Sequence, residues 1–164
     1  MINAVEASER LIELVRGNDD IANYADGCDA GMMATAESDL GVNFPPSYRL
    51  LIKEFGTWDI AGEEFLGVYQ TPAMGQKLLG SVTETLDARS QYGLSSDLIV
   101  TMFDGKGGLV VLDSSQANQG GEYPVLVWNP GVADRESMER LGDDFGSFAF
   151  ALCQRAVTRW RQSD

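Results

Sequence analysis

Phe44-Pro45-Pro46-Ser47-Tyr48-Arg49-Leu50-Leu51-Ile52-Lys53-Glu54-Phe55-Gly56 contains a helix break, a helix start and a helix stop in one short run. Proline suits the first turn of a helix, where its missing N–H would have found no carbonyl in any case. Pro46 and Ser47 therefore open a helix that continues from Tyr48 through Phe55 and stops at Gly56. Tyr48, Leu51, Ile52 and Phe55 fall at i, i+3, i+4 and i+7, which places them on one buried face. Just upstream, Ala34 to Leu40 reads as a short helix closed by Gly41.

Towards the amino terminus, Val5 to Arg16 gathers Val5, Leu11, Ile12 and Val15 on one helical face, with Gly17-Asn18 as the stop. Asn18 to Gly31 is polar and glycine-bearing and reads as a loop. Towards the carboxyl terminus, Phe65 to Tyr69 is a short strand. Ser81-Val82-Thr83-Glu84 has the pattern of a capping box and opens a helix through Gln91. Leu98 to Phe103 and Leu109 to Asp113 form a hairpin around Asp104-Gly105-Lys106-Gly107-Gly108, and their nearly continuous apolar character predicts strands covered on both faces. Tyr123 to Trp128 adds a strand with proline confined to its beginning. A last helix begins near Asp143 or Asp144 and runs to about Arg161, with Phe145, Phe148, Ala149, Leu152 and Ala156 as its buried stripe and Arg155, Arg159 and Arg161 late, towards the negative end of its dipole. No repeat, low-complexity tract or linker interrupts the pattern, so residues 1–164 are expected to form a single α+β domain.

Composition narrows the chemistry. The 164 residues hold no histidine, which removes Ser-His-Asp and Cys-His catalysis and histidine-based zinc sites. Cys28 and Cys153 are too few for an all-cysteine zinc site and are expected to stay reduced. The phosphate-binding Gly-x-Gly-x-x-Gly and P-loop patterns are absent, and the lysine of the 104–108 run is misplaced for a P-loop. The cluster Asp19, Asp20, Asp26 and Asp29 lacks the spacing and closing glutamate of a calcium loop and reads as a solvated acidic segment. Charge appears within the first ten residues, and no stretch is apolar enough to cross a bilayer, so a cytoplasmic location is expected. Twelve Lys+Arg against 25 Asp+Glu give a net charge of −13, which repels nucleic acid and anionic membranes and attracts a basic protein. Solubility alone is the competing explanation of that charge.

Four segments together resemble the SUKH superfamily, in the branch related to the fungal cell-wall assembly regulators. Ala36-Glu37-Ser38-Asp39-Leu40-Gly41-Val42-Asn43-Phe44-Pro45-Pro46-Ser47-Tyr48 looks like its acidic helix followed by a Pro-x-Ser-Tyr step. Leu50 to Gly56 is similar to its hydrophobic helix ending in an aromatic-glycine step. Leu112-Asp113 with Gly121-Glu122-Tyr123-Pro124-Val125-Leu126-Val127-Trp128 resembles its strand pair, and Asp144 to Phe150 its closing helix. The resemblance is strongest over residues 33–155. It implies a twisted, mainly antiparallel sheet flanked by helices, with no catalytic residue, metal or cofactor. Bacterial members are commonly immunity proteins that neutralise toxin domains, many of them nucleases, so the resemblance implies a cognate, basic toxin as partner. A non-catalytic module of a cellular regulatory complex is the alternative, and a carboxylate-dependent hydrolase a third reading. Neither motif nor charge speaks to oligomeric state.

Pro45, Ser47, Tyr48 and Trp128 read as structural. Trp58 has no periodic reason to be buried: it follows a helix stop and is flanked by Asp59, Glu63 and Glu64. An exposed tryptophan among carboxylates is a natural interface anchor, and packing back over the sheet is the equal alternative. A second candidate surface is the hairpin tip at Asp104, with Glu122 and the acidic loop Asp134 to Glu139 as neighbours.

Overall fold

A computed structural model describes residues 2–131 and 137–163. Among these residues, five α-helices pack with three antiparallel sheets. Helix α1 (Ala4–Arg16) is capped by Asn3, whose side chain accepts the Glu6 N–H, and it buries Ala7, Ser8, Leu11 and Val15. Asp29 caps α2 (Ala30–Leu40) in the same way, and Gly41, at φ 71°, closes it. Helix α3 (Pro46–Phe55) buries Tyr48, Leu51, Ile52 and Phe55, the face that the i, i+3, i+4, i+7 spacing predicts. Asp144 caps the long α5 (Phe145–Gln162), and α1 lies against both α3 and α5.

Strands β1 (Ala22–Tyr24), β2 (Trp58–Ile60) and β3 (Glu63–Phe65) form one sheet, and β4 (Val68–Tyr69) and β5 (Leu79–Gly80) a two-stranded ribbon. The largest sheet runs β6 (Leu98–Phe103), β7 (Leu109–Asp113), β8 (Val125–Trp128) and β9 (Glu139–Gly142) in sequence order. Its two central strands are covered on both sides, as their apolar runs require. Ile99, Met102, Val110, Leu112 and Val125 join the core of α1, α3 and α5. Leu98, Val100, Val111, Leu126 and Trp128 form a second cluster with Ala88 of α4 (Ser81–Tyr92). A bulge at Thr101 leaves its carbonyl outside the β6–β7 ladder, where it accepts the Leu66 N–H and ties the small sheet to the large one.

The α+β class and the antiparallel pairing agree with the sequence. Several features differ: α2 begins at Ala30 rather than Ala34, and the strand expected over Phe65 to Tyr69 is broken between β3 and β4. The expected single sheet is divided into three, and the expected loop over 18–31 contains β1, which pairs with β2. Glycine marks the division: Gly67 separates β3 from β4, and a β-carbon there would sit 1.5 Å from the Gly56 carbonyl oxygen. Finally, the capping box at Ser81 does not form. Gly80 occupies the cap position, and the Ser81 hydroxyl donates instead to the Val100 carbonyl of β6, anchoring α4 to the sheet beneath it.

Candidate functional site

The register of the three-stranded sheet sorts its side chains into two faces. Tyr24, Trp58 and Phe65 lie opposite one another in one row, and Asn23, Asp59 and Glu64 in the next. Because side chains alternate along a strand, the first row lies on the core side, with Trp58 and Phe65 buried and Tyr24 partly exposed at the edge, and the second faces away from it. Trp58 is 2% exposed. Its ring stacks on Phe65 at 4.9 Å and 11°, and meets Phe145 edge-on at 6.4 Å. Of the two readings of Trp58 the structure takes packing over the sheet, which corrects the exposed-loop anchor. The cause is β1, which has no strand signature of its own but turns residues 58–60 into a middle strand. The Trp58 indole N–H is buried with no hydrogen-bond partner among the described residues.

Asp59 and Glu64 face outward directly across the β2–β3 ladder. Asn23 donates to Asp59 Oδ1 at 3.0 Å, and no cation pairs with either carboxylate among the described residues. Like charges opposite one another oppose sheet formation by a few tenths to about 1 kcal/mol. Around them, Asn23, Thr57 and Leu66 complete an open hollow of ≈ 360 Å³.

Glu63 leaves this group. It lies opposite Ile60 and joins Asp104 in a separate cleft of ≈ 400 Å³ between the large sheet and α5. Lys106, Arg155 and Glu139 line the same cleft, so both signs of charge meet there. Asp104 is committed locally: its Oδ1 accepts the N–H of Lys106 at 2.7 Å and of Gly108 at 2.8 Å, closing the hairpin turn. Of the acidic loop from Asp134 to Glu139, residues 134–136 lie outside the described residues.

Glu122 is nowhere on this surface, which corrects its expected place beside the hairpin tip. It is 5% exposed, and its carboxylate accepts Ser47 N–H at 2.8 Å and Ser47 O–H at 2.7 Å. The reason is the preceding turn. Asn118 Oδ1 holds the N–H groups of Gly120 and Glu122, and Gly121, at φ 80°, lies against Pro46, so the next residue turns under the start of α3. Pro45 offers no side-chain cap, and Glu122 does the capping from across the fold. Ser47 Oγ accepts the Gly146 N–H at 3.0 Å, and its carbonyl accepts the Ser8 hydroxyl at 2.9 Å, so one serine joins α1, α3, α5 and the strand β8 approach. Burial pushes the Glu122 carboxyl above its ordinary value, against the downward pull of both Ser47 hydrogen bonds.

Two exposed aromatics escape the sequence reading. Tyr92 and Phe103 are 58% and 54% exposed. In the sequence Tyr92 follows the helix expected through Gln91 and Phe103 ends a strand, and their shared surface depends on a contact between α4 and the hairpin that no local pattern encodes.

Among the described residues, no group of three or more Cys, Asp or Glu is placed to hold a metal. Both cysteines are free and buried; desolvation raises the Cys28 thiol to about 11 and the Cys153 thiol higher still. No described helix is long and apolar enough to cross a membrane. The surface presents outward carboxylates on the three-stranded sheet, with an open hollow beside them.

Fold and surface together define a small acidic α+β domain. The chain belongs to the SUKH family described as SMI1-KNR4 cell-wall, which matches residues 5–152. The match takes in α1 from its second residue and all but the last three residues of the 33–155 region that carries the motifs, consistent with the packing of α1 on α3 and α5. No curated protein matches the chain.

Proposed function

We propose that this chain is an immunity protein that binds and neutralises a cognate toxin domain, a basic nuclease, by protein–protein contact in the cytoplasm. The observation that carries the reading is the outward pair Asp59 and Glu64, held side by side with no cation paired to either among the described residues. Two adjacent carboxylates that work against their own sheet gain from a cationic partner. A nuclease surface supplies such cations because it must hold phosphates. The net charge of −13 adds long-range attraction, which speeds encounter at low salt. SUKH domains act in general through protein–protein contact, and the buried Ser47–Glu122 assembly gives this one a rigid frame for it. No bond-making step is assigned to any residue.

Co-expression with the product of the adjacent gene tests the proposal. An immunity protein forms a stable complex with that product, restores growth to cells expressing it and suppresses its nuclease activity. A complex with a harmless partner, or a toxic partner left fully active, replaces this reading with that of a regulatory module.

A further inference from the structure

A groove of ≈ 590 Å³ separates α4 from the β6–β7 hairpin. Glu84, Asp87 and Tyr92 stand at i, i+3 and i+8 on the α4 wall, and Phe103 stands on the hairpin wall. Gly107 and its glycine neighbours, without side chains, keep the mouth open. Tyr92 and Phe103, both exposed, share this hollow. Neither Glu84 nor Asp87 has an ion-pair partner among the described residues, and no cation is among the described residues that line the groove. Burial and the nearby Asp87 both raise the Glu84 carboxyl, so a bound cation would relieve a penalty already present.

We infer that this groove is the receptor for an arginine side chain presented by a basic partner protein. A guanidinium is planar, stacks on aromatic rings and bonds carboxylates through paired N–H groups, and the groove supplies both kinds of surface. The chain already uses the same combination internally. The Arg16 guanidinium lies 5.3 Å from the ring centres of Tyr24 and Phe55 and pairs with Glu54. The cleft at Glu63 and Asp104 is the poorer receptor, because Lys106 and Arg155 already line it. This assignment rests on the reading of the chain as a binder of a basic protein and names where one anchor of that protein goes.

The test needs no toxin. The full chain is titrated with Nα-acetyl-arginine methylamide and followed by NMR, reading the Tyr92 and Phe103 rings and the backbone amides of 84–92 and 103–109. Saturable shifts at these positions are expected, with weaker binding of the lysine analogue and none of the neutral citrulline analogue. Tyr92→Ala, and separately Glu84→Gln with Asp87→Asn, each weaken binding about fivefold, as loss of a cation–π or charged contact at a partly exposed site should. Both variants alter exposed or half-exposed side chains, and unchanged amide dispersion elsewhere verifies their fold. Absent shifts, shifts centred on Asp59 and Glu64, equal binding of the lysine analogue, or variants that bind as the parent does would each overturn the assignment. A groove that passes while the adjacent gene product is not neutralised leaves the arginine receptor standing and removes the immunity reading; the converse removes only the receptor.

Discussion

Glu122 and the Asp59–Glu64 pair are all carboxylates of one acidic chain, yet the fold treats them in opposite ways. Glu122 is sealed in and given two donors by Ser47; Asp59 and Glu64 are turned outward, and among the described residues Asn23 donates to Asp59 and no cation pairs with either. The first holds the molecule together. The second costs it stability. That contrast separates acidity the fold consumes from acidity left over for a partner, which a net charge of −13 cannot do. Solubility alone needs scattered charge, not two carboxylates aligned across a ladder.

Substitutions can break or sharpen the contrast. The largest expected loss is at Trp58, whose inward ring shares the sheet with Asp59 and Glu64: Trp58→Ala should cost about 3–5 kcal/mol in urea unfolding, as a cavity beside Phe65 and Phe145. An unchanged stability with lost binding would return Trp58 to the surface. Gly146→Ala comes next, at about 3 kcal/mol, because its β-carbon would lie 2.1 Å from the Ala4 carbonyl oxygen and drive α1, α3 and α5 apart. Glu122→Ala should cost about 2–3 kcal/mol by stranding the Ser47 N–H and O–H in the core.

Glu122→Gln sharpens the point through pH. Burial raises the carboxyl of the folded chain, so the native state holds this proton more tightly than the unfolded chain does. The stability this group contributes is therefore complete below the ordinary carboxyl range and declines as pH rises towards the raised folded value. Urea unfolding should show the advantage of the parent over Glu122→Gln shrinking between acid and neutral pH. An advantage that grows instead would mean that the Ser47 hydrogen bonds outweigh burial.

Much of this architecture was legible because it is local. The Pro46 start, the Gly56 stop and the four-residue face between them determine α3, and the apolar runs around the 104–108 glycines determine the β6–β7 hairpin. The misses share one cause, partners distant in sequence. Residues 22–24 become a strand only because β2 lies beside them, and that same pairing is what buries Trp58. Ser81 answers to Val100 rather than to its own helix. Glu122 finds Ser47 seventy-five positions away, through a turn whose outcome depends on Pro46. Of the candidate site, the acidic pair Asp59 and Glu64 was readable as charge, but its alignment became visible only in the β2–β3 register, and that register sends Glu63 to another face.

The smallest expected effect on stability belongs to the double neutralisation Asp59→Asn with Glu64→Gln, and it is also the most direct examination of what the outward carboxylates are for. Stability in urea and the association rate with the captured toxin should be measured together, at low salt and near 1 M salt. The expected result is a chain as stable as the parent or up to about 1 kcal/mol more so. Its association should be slower at low salt and indistinguishable from the parent's once salt screens the charges. A variant that unfolds more readily while associating at the parental rate would show that these carboxylates serve the fold, contradicting the assignment of this face to a basic partner.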